Sequence, residues 1–99
     1  MSKLTLITDT TATLVGGSTT SLLSITLSQP ATPTPPVDAV IDLHDVSTAG
    51  GLAAGNKVAT INFNSTAQVP VQVLYDGVLF RQGLVVKSSA ACTVVVESE

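Results

Sequence analysis

Four side chains that can bind a metal ion or transfer a proton occur near the middle of the chain: Asp38, Asp42, His44 and Asp45. If this segment is a strand, Asp38, Asp42 and His44 share one face, because alternate residues of a strand point the same way. Two residues four positions apart on a strand are nevertheless separated by about 13 Å, so they can share one ion only with the help of another loop. We therefore interpret these residues as the solvated outer face of a strand and predict no metal site.

No residue stands in a context that would activate it for catalysis. His44 is the only histidine, and none of the many serines lies in a Gly-x-Ser-x-Gly sequence. Cys92 falls on the same face of a predicted strand as Val94, which predicts a buried and inert thiol. The pairs Gly16-Gly17 and Gly50-Gly51 lack the Gly-Lys-Ser/Thr ending of a phosphate-binding loop. We predict a protein that is not an enzyme and needs no cofactor. The alternative, a small hydrolase or a metal-dependent enzyme, would require a role for His44.

The 99-residue chain carries little charge. Charged residues make up 11% of it, only four of them are basic, and the net charge is −3. This balance excludes electrostatic capture of nucleic acid or of an anionic membrane as the main role. Three aromatic residues, Phe63, Tyr75 and Phe80, are too few to form stacking platforms for sugars or bases, and we assign all three to the core.

The single cysteine and the uncharged stretch from Thr10 to Val37 bear on the environment of the protein. One cysteine cannot form an intramolecular disulfide. The uncharged stretch contains four prolines and no run of about 20 apolar residues, so it does not predict a membrane span. The start of the chain also lacks the continuous apolar run of a secretion signal. We expect a soluble protein made in a reducing cytoplasm.

Short alternating runs of apolar and polar residues, separated by turn residues, cover most of the chain. This pattern is typical of an antiparallel sandwich or barrel. We predict an all-β fold, an antiparallel β-sandwich of jelly-roll type with seven to eight short strands and no substantial helix, in a single domain over residues 1–99. The predicted strands lie at 3–8 with a short continuation at 12–15, and at 22–28, 37–43, 57–64, 68–75, 78–80, 84–87 and 92–97.

The alternation also predicts which side chains face the core. Leu4 and Leu6 share one face of the first strand. The core-facing residues of the two clearest strands are predicted to be Leu23, Ile25 and Leu27, and Val37, Ala39, Ile41 and Leu43. The hydroxyl residues predicted to point outward are Thr5, Ser24, Thr26, Thr60 and Thr93.

Two further positions predict local geometry. Asp76-Gly77 between apolar runs is a signal for a two-residue hairpin turn. Pro70 has no N–H group to donate, so the strand at 68–75 is predicted to be an edge strand or a bulged one.

Two neutral segments are candidates for contact with a partner. Residues 1–20 are open to interpretation as an extended arm, and residues 29–36 form a predicted Pro-rich surface loop. Both are rich in hydroxyl groups or proline. This composition is compatible with a protein–protein contact, and it is equally compatible with a surface that has no partner. The candidate interface residues are Thr10, Thr11, Thr13, Pro30, Pro33, Pro35 and Pro36.

Three short motifs follow one another along the chain: Leu-Leu-Ser-Ile at 22–25, Ile-Asp-Leu-His-Asp at 41–45 with a small-residue loop after it, and Phe-Arg-Gln-Gly-Leu at 80–84. In this order they resemble the small β-sandwich virion proteins of tailed bacteriophages, and the resemblance covers most of the chain. The chain departs from that pattern in its Pro-rich segment 30–36 and at His44, where a small or aromatic residue is usual.

The resemblance implies a structural role in a virion assembled in the host cytoplasm. The first expectation is a capsid cement or decoration protein that binds between subunits of the major capsid protein and stabilises the shell. Decoration at local three-fold positions would make it a homotrimer. The alternative is a tail or fibre component with a receptor- or glycan-binding role, for which residues 46–56 are the candidate site.

Overall fold

The computed structural model of the chain describes residues 2–29, 38–64 and 71–99. In these ranges the chain forms eight strands and two single 3₁₀ turns, at Ala49–Gly51 and Ala54–Asn56. The strands are β1 (Lys3–Ile7), β2 (Thr13–Gly16), β3 (Thr20–Ser28), β4 (Ala39–Asp45), β5 (Lys57–Phe63), β6 (Val71–Phe80), β7 (Leu84–Ser88) and β8 (Thr93–Ser98). The predicted all-β fold is confirmed.

The strands form two four-stranded antiparallel sheets that pack against each other as a sandwich. Sheet I has the order β1-β8-β3-β6, and sheet II has the order β2-β7-β4-β5. Consecutive strands β1 and β2 lie at the edges of different sheets, so the N-terminal segment contributes one strand to each layer. In the described part of the chain, no helix is long and apolar enough to cross a membrane.

The core lies between the sheets and consists mainly of β-branched residues and leucine. The core-facing residues predicted for β4 are confirmed where they are described, since Ala39, Ile41 and Leu43 are all buried. On β8 the predicted alternation is also confirmed, with Val94 and Val96 fully buried. Alternation predicts these strands well because both run without interruption through the middle of a sheet.

Strand β3 departs from its predicted face. A register shift between Leu22 and Ser24 marks a β-bulge, and the inward face changes parity there. Leu22 is therefore fully buried, whereas Leu23, predicted to face the core, is only half-buried. Ile25 and Leu27 lie beyond the bulge and are buried as predicted.

Strand β1 presents its leucines to solvent. Leu4 and Leu6 share one face as predicted, but they are 70% and 64% exposed, and the inward residue is Ile7. Thr5 shares the inward face with Ile7, so its predicted outward position is wrong. Period-two alternation shows which residues share a face, and the packing of the sheets decides which face is buried.

The predicted hairpin at Asp76-Gly77 is wrong. Both residues have positive φ, at 52° and 87°, yet they lie inside β6, which pairs with β3 on both sides of them. Leu74 pairs with Ser24 and Val78 with Leu22, so the Asp-Gly pair forms the bulge of a continuing strand. The prediction of an edge or bulged strand is confirmed for Val71–Phe80, since β6 is the edge of sheet I. Pro70 itself lies outside the described residues.

Candidate functional site

The four residues first considered for metal binding lie on or beside β4, but each has a different environment. Asp42 accepts a hydrogen bond from Thr60 Oγ1 at 2.9 Å, and the Lys57 ammonium lies 3.8 Å from the same oxygen. Asp45 Oδ1 accepts hydrogen bonds from the backbone N–H groups of residues 82 and 83 and so caps that turn. Asp38 is exposed just before the strand. Among the described residues, no three His, Cys, Asp or Glu side chains converge in a way that could hold a metal.

His44 is buried, which corrects its assignment to a solvated face. Its register partner on β7 is Val85, and both residues point away from the core, on the outer face of sheet II. They are nevertheless only 6% and 0% exposed. The connection between β4 and β5, residues 46–56, lies against this face at His44, where Asn56 Oδ1 is 2.7 Å from His44 Nδ1. We call this segment the covering loop.

Asn56 holds the covering loop in place. Its Oδ1 atom accepts a hydrogen bond from the backbone N–H of Ala53 at 3.1 Å and lies 2.7 Å from His44 Nδ1. Because this oxygen is an acceptor, the His44 Nδ1 atom carries the proton and donates it. The Asn56 amide nitrogen donates to the Gly51 carbonyl at 2.9 Å. One side chain thus joins both 3₁₀ turns to the sheet.

Sequence reasoning missed Asn56 and Val85. A signal for Val85 was present, since Leu84-Val85-Val86 is an uninterrupted apolar run of the kind found in strands buried on both faces. No comparable pattern marks Asn56, because its contacts depend on how the covering loop folds. The loop predicted at 46–56 therefore forms a local structure over sheet II, with His44 beneath it.

Cys92 is a buried thiol whose side chain, among the described residues, contacts Ser88. It is 2% exposed, as predicted, and its Sγ atom lies 3.7 Å from Ser88 Oγ. Burial raises the pKa of the Cys92 thiol, and this effect outweighs the hydrogen bond with Ser88, which lowers it. A thiol in this environment stays protonated and is a poor nucleophile.

The outer face of sheet I differs from that of sheet II because no described segment lies over its leucines. Cross-strand pairing places two rows of side chains on this face. One row contains Leu6, Val95, Thr26 and Gln72, and the other contains Leu4, Glu97, Ser24 and Leu74. We call these eight residues the open face.

The open face combines exposed leucines, hydroxyl groups and a single charge. Leu4, Leu6 and Leu74 are 70%, 64% and 73% exposed. Ser24 donates a hydrogen bond to the Glu97 carboxylate, which is the one ionised group among the eight residues. Ser24 and Thr26 lie on the outward face as predicted, but Ser24 is buried at 5% exposure. An exposed apolar surface of this kind can contact another protein.

The predicted interface threonines lie at the connection from sheet I to sheet II. Thr10 and Thr11 are exposed between β1 and β2, and Thr13 is the first residue of β2. The Thr10 carbonyl accepts a hydrogen bond from Lys87 Nζ, and Thr13 Oγ1 donates to the Thr11 carbonyl. The other predicted interface residues lie outside the described part of the chain: Pro30, Pro33, Pro35 and Pro36.

Comparison with known proteins adds no relative. No family model matches the chain, and neither a curated protein nor a solved structure matches it. The functional argument therefore rests on the residues and surfaces described above.

Proposed function

We propose that this protein is a non-enzymatic structural component of a virion, a capsid cement or decoration protein that binds the shell through the open face of sheet I. The virion context comes from the motifs that resemble phage virion proteins. The binding surface comes from the single observation that three leucines on this face are each more than 60% exposed. Large exposed leucines grouped on one sheet face are typical of a protein contact.

The alternative glycan-binding role receives no support from the aromatic residues. Phe63 and Phe80 are buried at 3% and 1% exposure, and Tyr75 packs against the core from β6. These are the three aromatic residues of the chain. Proteins that bind sugars commonly stack them on exposed rings, and here the rings pack inward.

The energetics of the open face favour binding to an assembled lattice. Fully burying a leucine contributes roughly 2 kcal/mol, so burying the exposed parts of Leu4, Leu6 and Leu74 contributes about 4 kcal/mol. Association itself costs roughly 4–15 kcal/mol, so one such contact is weak. Many copies bound side by side on one shell, and associated with each other, would bind more tightly than a single copy does. We therefore expect binding to assembled shells and little binding to free capsid subunits.

Co-sedimentation of the purified chain with capsid shells of the virus that encodes it tests the proposal. Leu74→Glu places a charge within the contact, at the β6 edge of the open face, and is expected to lower shell affinity by at least about tenfold. Val58→Glu is the matched control, because Val58 is 54% exposed on the outer face of sheet II. Equal binding by both variants, or no sedimentation of the native chain with shells, would refute the proposal.

A further inference from the structure

Glu97 lies in the middle of a row of side chains on the open face. Strand pairing places Leu4 of β1 on one side of it and Ser24 of β3 on the other, with Leu74 of β6 beyond Ser24. Neighbouring strands are about 4.8 Å apart, so the two exposed leucines lie roughly 14 Å from each other with the carboxylate between them. A partner that covers both leucines therefore also covers Glu97.

The carboxylate of Glu97 has one hydrogen-bond partner and no counter-charge among the described residues. It is half-buried and accepts a hydrogen bond from Ser24 Oγ at 3.3 Å, and it forms no ion pair with a described residue. A carboxylate has about four acceptor positions, so in the isolated chain most of them are left to water. Water can fill them only while the open face is uncovered.

None of the four Lys and Arg residues of the chain belongs to the open face. Lys57 and Lys87 lie on sheet II, at the start of β5 and within β7, and Arg81 lies in the turn between β6 and β7. Lys3 is on β1, but its ammonium donates to the Val15 carbonyl of β2 at 2.7 Å and is therefore directed toward sheet II. The open face thus carries one negative charge and no positive charge to balance it.

We propose that the open face binds a protein surface that presents a lysine or arginine side chain to Glu97, within an apolar surround that meets Leu4 and Leu74. This inference rests on the proposed function and specifies the chemistry of the shell surface that is bound. It also excludes the open face of a second copy as the occupant, because that face would bring another carboxylate and no cation.

The cost of burying a charge is the physical reason for this choice. A carboxylate that loses its water without gaining a partner is strongly destabilising, and the exposed leucines could not offset that loss. A basic side chain removes it through a charge-assisted hydrogen bond. A purely apolar or an acidic surface would leave Glu97 unpaired, so the leucines supply contact area and the charge selects the partner.

Co-sedimentation with capsid shells at low and high salt tests the inference. Glu97→Gln keeps the shape of the side chain and removes its charge, and it is expected to lower shell affinity about tenfold and to flatten the salt dependence of binding. Glu97→Lys places like charges together and is expected to lower affinity by at least about a hundredfold. Asp9→Asn is the matched control, because it removes the same charge between β1 and β2, where an Asn oxygen can still accept from the Thr11 N–H.

Binding by Glu97→Gln that equals or exceeds that of the native chain would overturn the inference, and so would an equal loss in Glu97→Gln and Asp9→Asn. Urea unfolding checks that each variant is folded. If the Glu97 variants are not, native binding that is the same at low and high salt overturns the inference by itself. A native chain that does not sediment with shells refutes the proposed function, whereas native binding that Glu97→Gln retains refutes only this inference, so the two failures are distinguishable.

Discussion

Asn56→Ala tests whether the covering loop is held over sheet II by one side chain. The substitution removes the acceptor for His44 Nδ1 and for the Ala53 N–H, together with the donor to the Gly51 carbonyl. It leaves the strands and the core between the sheets unchanged. Its effect therefore measures the contribution of the covering loop to the fold.

The structure sets the magnitude of this effect. The contacts of Asn56 with His44 and with Gly51 are partly buried, and each is expected to contribute about 1 kcal/mol. The contact with the Ala53 N–H is exposed, so water replaces it at little cost. We expect a loss of about 2 kcal/mol in the free energy of unfolding. In a domain of this size, that corresponds to a decrease of roughly 8–16 °C in Tm.

Thermal and urea unfolding followed by circular dichroism measure the global effect, and amide hydrogen exchange locates it. Exchange is expected to accelerate at residues 46–56 through local opening, and in β3 and β8 only as far as the loss of about 2 kcal/mol in global stability requires, roughly 30-fold. Asn62→Ala is the matched control, since Asn62 is exposed on β5 and its side chain forms no hydrogen bond to another described residue. If Asn56→Ala leaves both Tm and the exchange of the covering loop as in the native chain, the loop is held by other contacts and this reasoning is wrong.

Two further predictions concern a glycine and the alkaline limit of stability. Gly83→Ala is expected to destabilise the fold by about 2–4 kcal/mol in urea unfolding. The reason is that φ at Gly83 is +153° and an added Cβ atom would lie 2.7 Å from the Val46 carbonyl oxygen. Gly50→Ala is the control and should be nearly neutral, because an added Cβ atom there has no neighbour within 4 Å. The free energy of unfolding is also expected to fall as pH rises above about 9, because burial raises the pKa of Cys92 and of Tyr75 and the unfolded chain then binds fewer protons than the folded one. Cys92→Ala should flatten the first part of this decline, and a native chain equally stable at pH 7 and at about pH 10 would contradict the prediction.

Much of the sandwich could be predicted from residue order alone. Regular alternation located the strands, and it identified the inward residues of β4 and β8, such as Ile41 and Val94. It succeeded there because both strands lie in the middle of a sheet and carry no bulge themselves, since the extra residue at each register shift lies on the partner, β5 or β3. The same alternation placed Phe63 on the inward face of its strand, where it is buried.

The tertiary structure decided the orientation of faces and the positions of the bulges. Alternation is symmetric between the two faces of a strand, so only the packing of sheet I on sheet II determines that Leu4 and Leu6 point to solvent. Positive φ at Asp76-Gly77 suits both a hairpin and a bulge, and the uninterrupted neighbour β3 makes it a bulge. His44 has an outward position on its strand and is buried because the covering loop folds over it. Each of these outcomes depends on contact with another segment of the chain, and the alternation within one strand carries no information about such contacts.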